Sequence, residues 1–332
     1  MLKIELSWQA AAVSSACLLG VTAAVRLGGM LARGDAAQRP AVQAPRGAGT
    51  SGLGWLIRRA RLAELTAIAQ ETGIIVGIFA LWQFAGRYAA RVRGGALARA
   101  DWIWHAERVA RLPDEAAVQR LFLPHPLLVQ ACNLYYASLH FAGLIALLVW
   151  LFLRHRDRYP EVRATLVMVT AASLLVQLIP VAPPRMLASD GMIDTGVRYG
   201  QSVYGSIAGF NPDELSAMPS VHIAWALLIG ITVVRFSGSR WRWLALAYPV
   251  ATMLVVVVTA NHFWADGIVA EVLLVLAMLA YQAGRAARLA LERALRGSRP
   301  DAAQREPAGA CAPAASRAQA TAHQQTPGVD AF

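Results

Sequence analysis

The chain alternates long apolar blocks with short polar segments, a pattern that suits neither the 3.6-residue stripe of a soluble helix nor the two-residue alternation of a half-buried strand. About 20 apolar residues carry a helix across a bilayer. Seven blocks, at 6–31, 66–87, 126–153, 164–182, 219–234, 243–260 and 265–284, are therefore read as spanning helices. The second, crowded between Glu71 and Arg87, and the fifth are the short ones. The first follows a segment with one Lys and one Glu and is long enough for a full span, so it reads as a retained helix rather than a cleaved signal peptide. The expected fold class is an all-α polytopic membrane helical bundle, about six core spans plus one extra N-terminal helix.

The polar segments divide the chain. Residues 1–32 are the N-terminal transmembrane helix, and 33–61, rich in Gly, Ala, Pro and Arg, form a flexible basic linker. Residues 62–297 make up the membrane domain. From 298 to 332 the sequence has no apolar period and reads as a disordered cytoplasmic tail. Within the domain, residues 101–125 scatter Trp102, Trp104, Val109, Leu112 and Val118 among charges, which predicts an amphipathic helix on the membrane surface.

Composition agrees with this class. Of 332 residues 57% are hydrophobic and 15% charged, where a soluble domain carries about a quarter charged. The net charge of +11 is almost all arginine, with Lys3 the only lysine. In a membrane protein such charge marks cytoplasmic loops, so nucleic acid is not an expected partner. The bias also fits a GC-rich genome, and the expected location is a bacterial cytoplasmic membrane. Cys17, Cys132 and Cys311 show neither metal spacing nor a disulfide framework.

Charge also orients the chain. The segments 154–163, 235–242 and 285–299 are strongly basic and should be cytoplasmic, together with the 33–61 linker and the C-terminus. The loops 183–217 and 261–264 then face outward. Arg87, Arg91 and Arg93 disagree, since they follow the second span on the expected outer side.

Three polar segments lie at that outer level: Ala182-Pro-Pro-Arg185-Met186, Met218-Pro-Ser220-Val-His222 and Asn261-His262-Phe-Trp-Ala-Asp266. Ionisable residues beside a span need a reason to be there. Arg185 follows the fourth span, His222 opens the fifth, and the sixth returns His262 to the same depth. Asp266 lies one helical turn beyond His262. If these spans are neighbours, the four converge on one outward-facing site. Each residue type suits phosphoryl transfer. An arginine fork holds phosphate oxygens. Pro219-Ser220 reads as a helix start, with Pro in the first turn, free N–H groups and a hydroxyl from Ser220. One histidine can attack phosphorus while the other protonates the leaving oxygen, and Asp266 can fix the tautomer of His262. In the third span Asn133, Tyr136 and His140 share one face, as a polar stripe turned to a pocket or to another helix.

Met218-Pro-Ser-Val-His222 resembles the Pro-Ser-Gly-His motif of the type 2 phosphatidic acid phosphatase superfamily, and His262-Phe-Trp-Ala-Asp266 resembles its His-x-x-x-Asp motif. Arg185 matches the arginine of its first motif, and the resemblance covers about residues 126–284. It implies that His262 is the nucleophile and forms a phosphohistidine, that His222 protonates the leaving group, and that neither a metal nor another cofactor is needed. Residues 62–297 would then be a lipid-phosphatase-like membrane domain acting on a lipid phosphate of the bilayer at the outer membrane face. Leu178 and Val256 stand where the superfamily carries a lysine and an arginine, and Val221 replaces the motif glycine. The pattern, with Asn133, Tyr136 and His140, is closer to the branch containing inositol phosphorylceramide synthases. That branch implies an inositolphosphotransferase-like enzyme, which moves a head group from a phosphodiester lipid to an alcohol acceptor. Arg87 is a candidate for one missing cation.

Other readings stand beside these. His222 can cap a helix, and His262 with Asp266 can be a structural pair. Two histidines and a carboxylate can hold a metal. Arg185 can anchor at the interface and Arg87 can snorkel. The stripe of Asn133, Tyr136 and His140 can bond helix to helix. A non-catalytic transporter of an anionic substrate can use the same basic pocket.

Overall fold

The computed structural model describes residues 8–38, 51–91, 94–187, 191–202 and 214–297. Among these the chain is all-helical, with a single isolated extended bridge between Val181 and Ser216. The helices are α1 (Trp8–Gln38), α2 (Ser51–Arg91), α3 (Ala96–Val109), α4 (Glu115–Phe122), α5 (Pro126–Arg154), α6 (Tyr159–Val176), the turn α7 (Thr195–Arg198), α8 (Val221–Phe236), α9 (Ala247–Val258) and α10 (Trp264–Gly297). Six helical stretches are long and apolar enough to cross a membrane, and α8 is a shorter apolar helix. These match the seven expected spans. Of the expected linker, residues 33–38 close α1 and 51–61 open α2; residues 39–50, Arg93 and the tail 298–332 lie outside the described residues.

Two compact units divide the chain at Gly284. In the second, the described residues continue α10, with Arg288 pairing to Glu292 one turn on.

In the first unit α1 and α2 pack antiparallel through small residues. Ser15 Oγ donates to the Gly73 carbonyl at 2.7 Å, and a Cβ at Gly77 would meet that same hydroxyl at 2.7 Å. Gly73 and Gly77 are four apart, the small-residue spacing that lets membrane helices approach closely. Glu71 of α2 forms an ion pair with Arg163 of α6, which fixes the hairpin to the bundle. The main core lies between α5, α6, α8, α9 and α10, around Leu151, Val169, Ile223, Leu228, Val256 and Leu274. The outward faces stay apolar, with Leu134, Ile145 and Val250 all more than half exposed. Such side chains belong against lipid.

Several helix ends differ from the sequence reading. The single amphipathic helix expected over 101–125 is two helices. Pro113 and a left-handed Arg111 (φ 59°) break it, and the face holding Ala96, Ala100, Ile103 and Glu107 packs inward. The fourth span ends at Val176 rather than Ala182, and residues 177–183 run on as irregular chain. Pro219 is not in the first turn of α8: the helix begins at Val221 and Ser220 occupies the N-cap.

One end of the bundle is basic. There Arg235 pairs with Glu161 at 3.4 Å, and the Arg158 guanidinium lies 5.4 Å over Phe236. The N-terminus of α8, the C-terminus of α9 and the start of α10 meet at the other end.

Candidate functional site

That second end is knitted by backbone hydrogen bonds among the three polar segments and the residues just before them. Val181 N donates to Leu215 O (2.8 Å) and Ala217 N to Val181 O (3.2 Å), joining the first segment to the second. Arg185 N donates to Ala260 O (3.2 Å), joining first to third. Ser220 N donates to Asp266 O (3.2 Å), joining second to third. Buried polar backbone at membrane depth must be satisfied within the protein, and these bonds do so. Gln177 adds a bond from its side-chain amide to Pro219 O at 3.2 Å.

The chain turns sharply between α9 and α10. Ala260 is left-handed (φ 54°) and fully buried, a conformation that costs a non-glycine residue about 1 kcal/mol or more. The turn aims Asn261 and His262 back into the bundle. His262 Nδ1 lies 2.7 Å from the Ala217 carbonyl and 3.2 Å from Asp266 Oδ2. A carbonyl can only accept, so Nδ1 carries a proton, and in the neutral ring Nε2 is the nitrogen with the lone pair. Asp266 is fully buried, and its Oδ2 also accepts the N–H of Phe263 at 2.9 Å.

His222, in the first turn of α8, stands with its ring 6.0 Å from that of His262. Tyr136 and His140 of α5 pack against it at 4.6 Å and 4.4 Å between ring centres. His140 Nδ1 is 3.3 Å from the Tyr248 hydroxyl. Two ring nitrogens, His222 Nδ1 and His140 Nε2, are buried without a hydrogen-bond partner. A cavity of about 480 Å³ opens onto Tyr136, His222, Asn261 and His262.

Other expected residues fall differently. Arg185 is nearly buried and is not on the cavity wall. Its Nη1 donates to Asn261 Oδ1 at 2.5 Å and its Nε lies 3.3 Å from Asp194 Oδ2. Asn261, which does line the cavity, is thus the group through which Arg185 reaches it. Sequence reading missed it, although it adjoins His262. The Ser220 hydroxyl is wholly enclosed and has no partner. Asn133 turns away from the histidines: it donates to Thr195 O (3.1 Å) and Gln201 Oε1 (3.0 Å) and accepts from Thr195 Oγ1 (2.8 Å). Arg87 is exposed on α2 and is not among the lining residues. Val256, in the place of the missing arginine, is fully buried, and its carbonyl accepts from Asn261 N (3.0 Å).

Behind the site lies an acidic cluster that the sequence reading left unassigned. Glu107 of α3 accepts the N–H of Ala265 at 2.6 Å, at the start of α10. Glu115, fully buried, pairs with Arg108 at 2.7 Å. Burial first, then a hydrogen bond to Glu115, pushes the Glu107 carboxyl up to about 9 against the opposing pull of the Ala265 N–H. Burial thus makes the Glu107 carboxyl hold its proton more tightly than an exposed one.

No curated protein and no solved structure gives a match to this sequence. A family model described as the PAP2 superfamily matches residues 101–280, more than half of the chain and all three polar segments. The chain belongs to the PAP2 superfamily.

Proposed function

We propose that the chain is an integral-membrane enzyme that removes or transfers the phosphoryl group of a lipid phosphate through a phosphohistidine intermediate. The observation that carries this reading is the 2.7 Å contact of His262 Nδ1 with Ala217 O, which in the neutral ring leaves the Nε2 lone pair for phosphorus, beside a cavity shared with His222. His262 Nε2 bonds to phosphorus as the P–O bond to the alcohol breaks, and His222 gives that oxygen its proton. Asp266 stabilises the charged ring. In the second step water loses its proton to His222, its oxygen bonds to phosphorus and the P–N bond breaks. The side chains and substrate suffice, with no cofactor drawn on. Ser220 and the free N–H groups opening α8 are proposed to face the phosphoryl oxygens once substrate enters, and Arg185 to hold Asn261 toward them.

The proposed setting is the bacterial cytoplasmic membrane. The site would face outward and the basic turns and C-terminus the cytoplasm, as the arginine distribution favours.

A second reading, transfer to an alcohol acceptor as in the inositolphosphotransferase-like branch, draws support from charge. Leu178 and Val256 supply no cation, Asp194 sits on Arg185, and Glu214 lies on the cavity wall. A site with so little positive charge suits a phosphodiester better than a dianionic monoester.

The test is a panel of labelled lipid phosphates given to purified chain with and without an added alcohol, following free phosphate, transferred product and acid-labile phosphoprotein. Phosphoprotein and product should both vanish in His262→Ala. Full turnover in that variant would overturn the mechanism. Binding without turnover in the wild type would favour an anion transporter instead.

A further inference from the structure

The cavity that holds the two histidines has a second wall of a different kind. Ile75, Ile78, Phe79 and Trp82 of α2 all line it. Their spacing of i, i+3, i+4 and i+7 makes one continuous apolar stripe on a helix. Such a stripe ordinarily packs into a protein core. Here Ile75 is 67% exposed and Trp82 39%, and both line the cavity. Phe141 and Trp225 face the same space from α5 and α8. Among the described residues on the wall the only charged one is Glu214, so none of them is a cation that would draw in a second anionic group.

The position of α2 in the chain matters as much as its surface. The residues matched by the PAP2 superfamily run from 101 to 280, so the stripe at 75–82 lies wholly outside them. The helix is nonetheless held firmly, by the Glu71–Arg163 ion pair to α6 and by the close Ser15–Gly73 contact to α1. The stripe is thus an anchored apolar face, outside the matched residues, that lines the same cavity as the two histidines.

Resting on the function proposed above, we infer that the α2 stripe is a specificity wall for the apolar tail of the lipid whose phosphate reaches His262, with Phe79 and Trp82 as its principal contacts. The tail lies along 75–82 and the phosphoryl group projects past Ala217 and Asn261 toward the two rings. Selection among lipid phosphates then depends on the α1–α2 hairpin, while the chemistry depends on α8 and α10.

Two measurements on the full chain test this. A phosphatidic acid carrying a diazirine in its acyl chain is photolysed with wild type and with His262→Ala, which binds without turning over. Label is expected in the peptide containing residues 75–82 in both, competed by unlabelled long-chain lipid. Separately, kcat/KM is compared for a long-chain and a short-chain phosphatidic acid. In Phe79→Ala/Trp82→Ala the long-to-short ratio should fall about tenfold or more, chiefly through KM. An unchanged ratio, or label confined to other helices, would overturn the wall. Label on α2 without turnover by wild type would sink the proposed function and leave the wall standing. Turnover lost in His262→Ala without label on α2 would do the reverse.

Discussion

Asp266 holds His262 with a carboxylate oxygen that it shares with the N–H of Phe263, so one buried acid sets both the imidazole and the backbone turn that presents it. Asp266→Asn keeps the size but removes the charge that stabilises a cationic ring. Activity should fall roughly 10²-fold or more, with the thermal midpoint little changed. The paired readout is turnover and detergent-phase melting. A variant that melts early and loses activity in proportion would assign Asp266 to the fold alone.

His222 faces His262 across 6.0 Å and is the proposed acid. Its loss should be felt most by substrates whose departing alcohol needs a proton. His222→Gln is expected to lower turnover of an alkyl lipid phosphate by roughly 10²–10⁴-fold. A nitrophenyl phosphate ester, which leaves as a stable anion, should lose far less. Equal losses on both substrates would remove His222 from the proton-transfer role.

The helical blocks were legible because a run of 20 apolar residues is the most redundant signal a sequence carries, and no single substitution blurs it. Chain order and charge put His222, His262 and Asp266 at one depth, and their convergence needed only that the spans be neighbours. What the sequence concealed was set by contacts between distant residues. Nothing local marks Ala260 as left-handed, since its conformation is imposed by the turn between α9 and α10. Glu107 and Glu115 looked like surface charges of an amphipathic helix. They are buried because Pro113 breaks that helix and folds α3 and α4 against α9 and α10. Asn133 shared a helical face with Tyr136 and His140, but Thr195 and Gln201 claim its amide. Charge balance makes Arg87 a candidate cation, but it is exposed on α2, off the cavity.

Arg185 and Asn261 should behave as one unit. The guanidinium reaches the cavity through the Asn261 amide oxygen, 2.5 Å away. Arg185→Ala and Asn261→Ala are each expected to reduce kcat/KM by about tenfold or more, and the double variant should lose little beyond either single one. Arg185→Lys should not restore activity, because an ammonium cannot reproduce the fork that meets both Asn261 and Asp194. Additive losses would mean that Arg185 contacts substrate independently.

Glu107 makes stability depend on pH in a specific direction. Burial pushes its carboxyl up from the ordinary 4.5 to about 9. Between those values the folded state holds a proton that the unfolded state has released, so stability falls as pH rises through the window and the loss is complete above about 9. The groups that face Glu107 explain why its charge is unwelcome: Glu115 of α4 and Asp266 of α10 repel it, while Arg108, 3.9 Å from Glu107 Oε2, is already engaged by Glu115 at 2.7 Å. Glu107→Gln keeps a hydrogen-bond donor toward Glu115 and an acceptor for the Ala265 N–H, and it cannot ionise. Its thermal midpoint should therefore change less between pH 5 and pH 9 than that of the wild type. A stability difference of about 1 kcal/mol moves the midpoint by roughly 2–4 °C in a domain of this size, so the contrast is measurable by scanning fluorimetry in detergent. Parallel curves for the two proteins would show that Glu107 is already ionised in the folded chain. In that case Arg108, which pairs with both, would be what keeps the two carboxylates together behind Asp266.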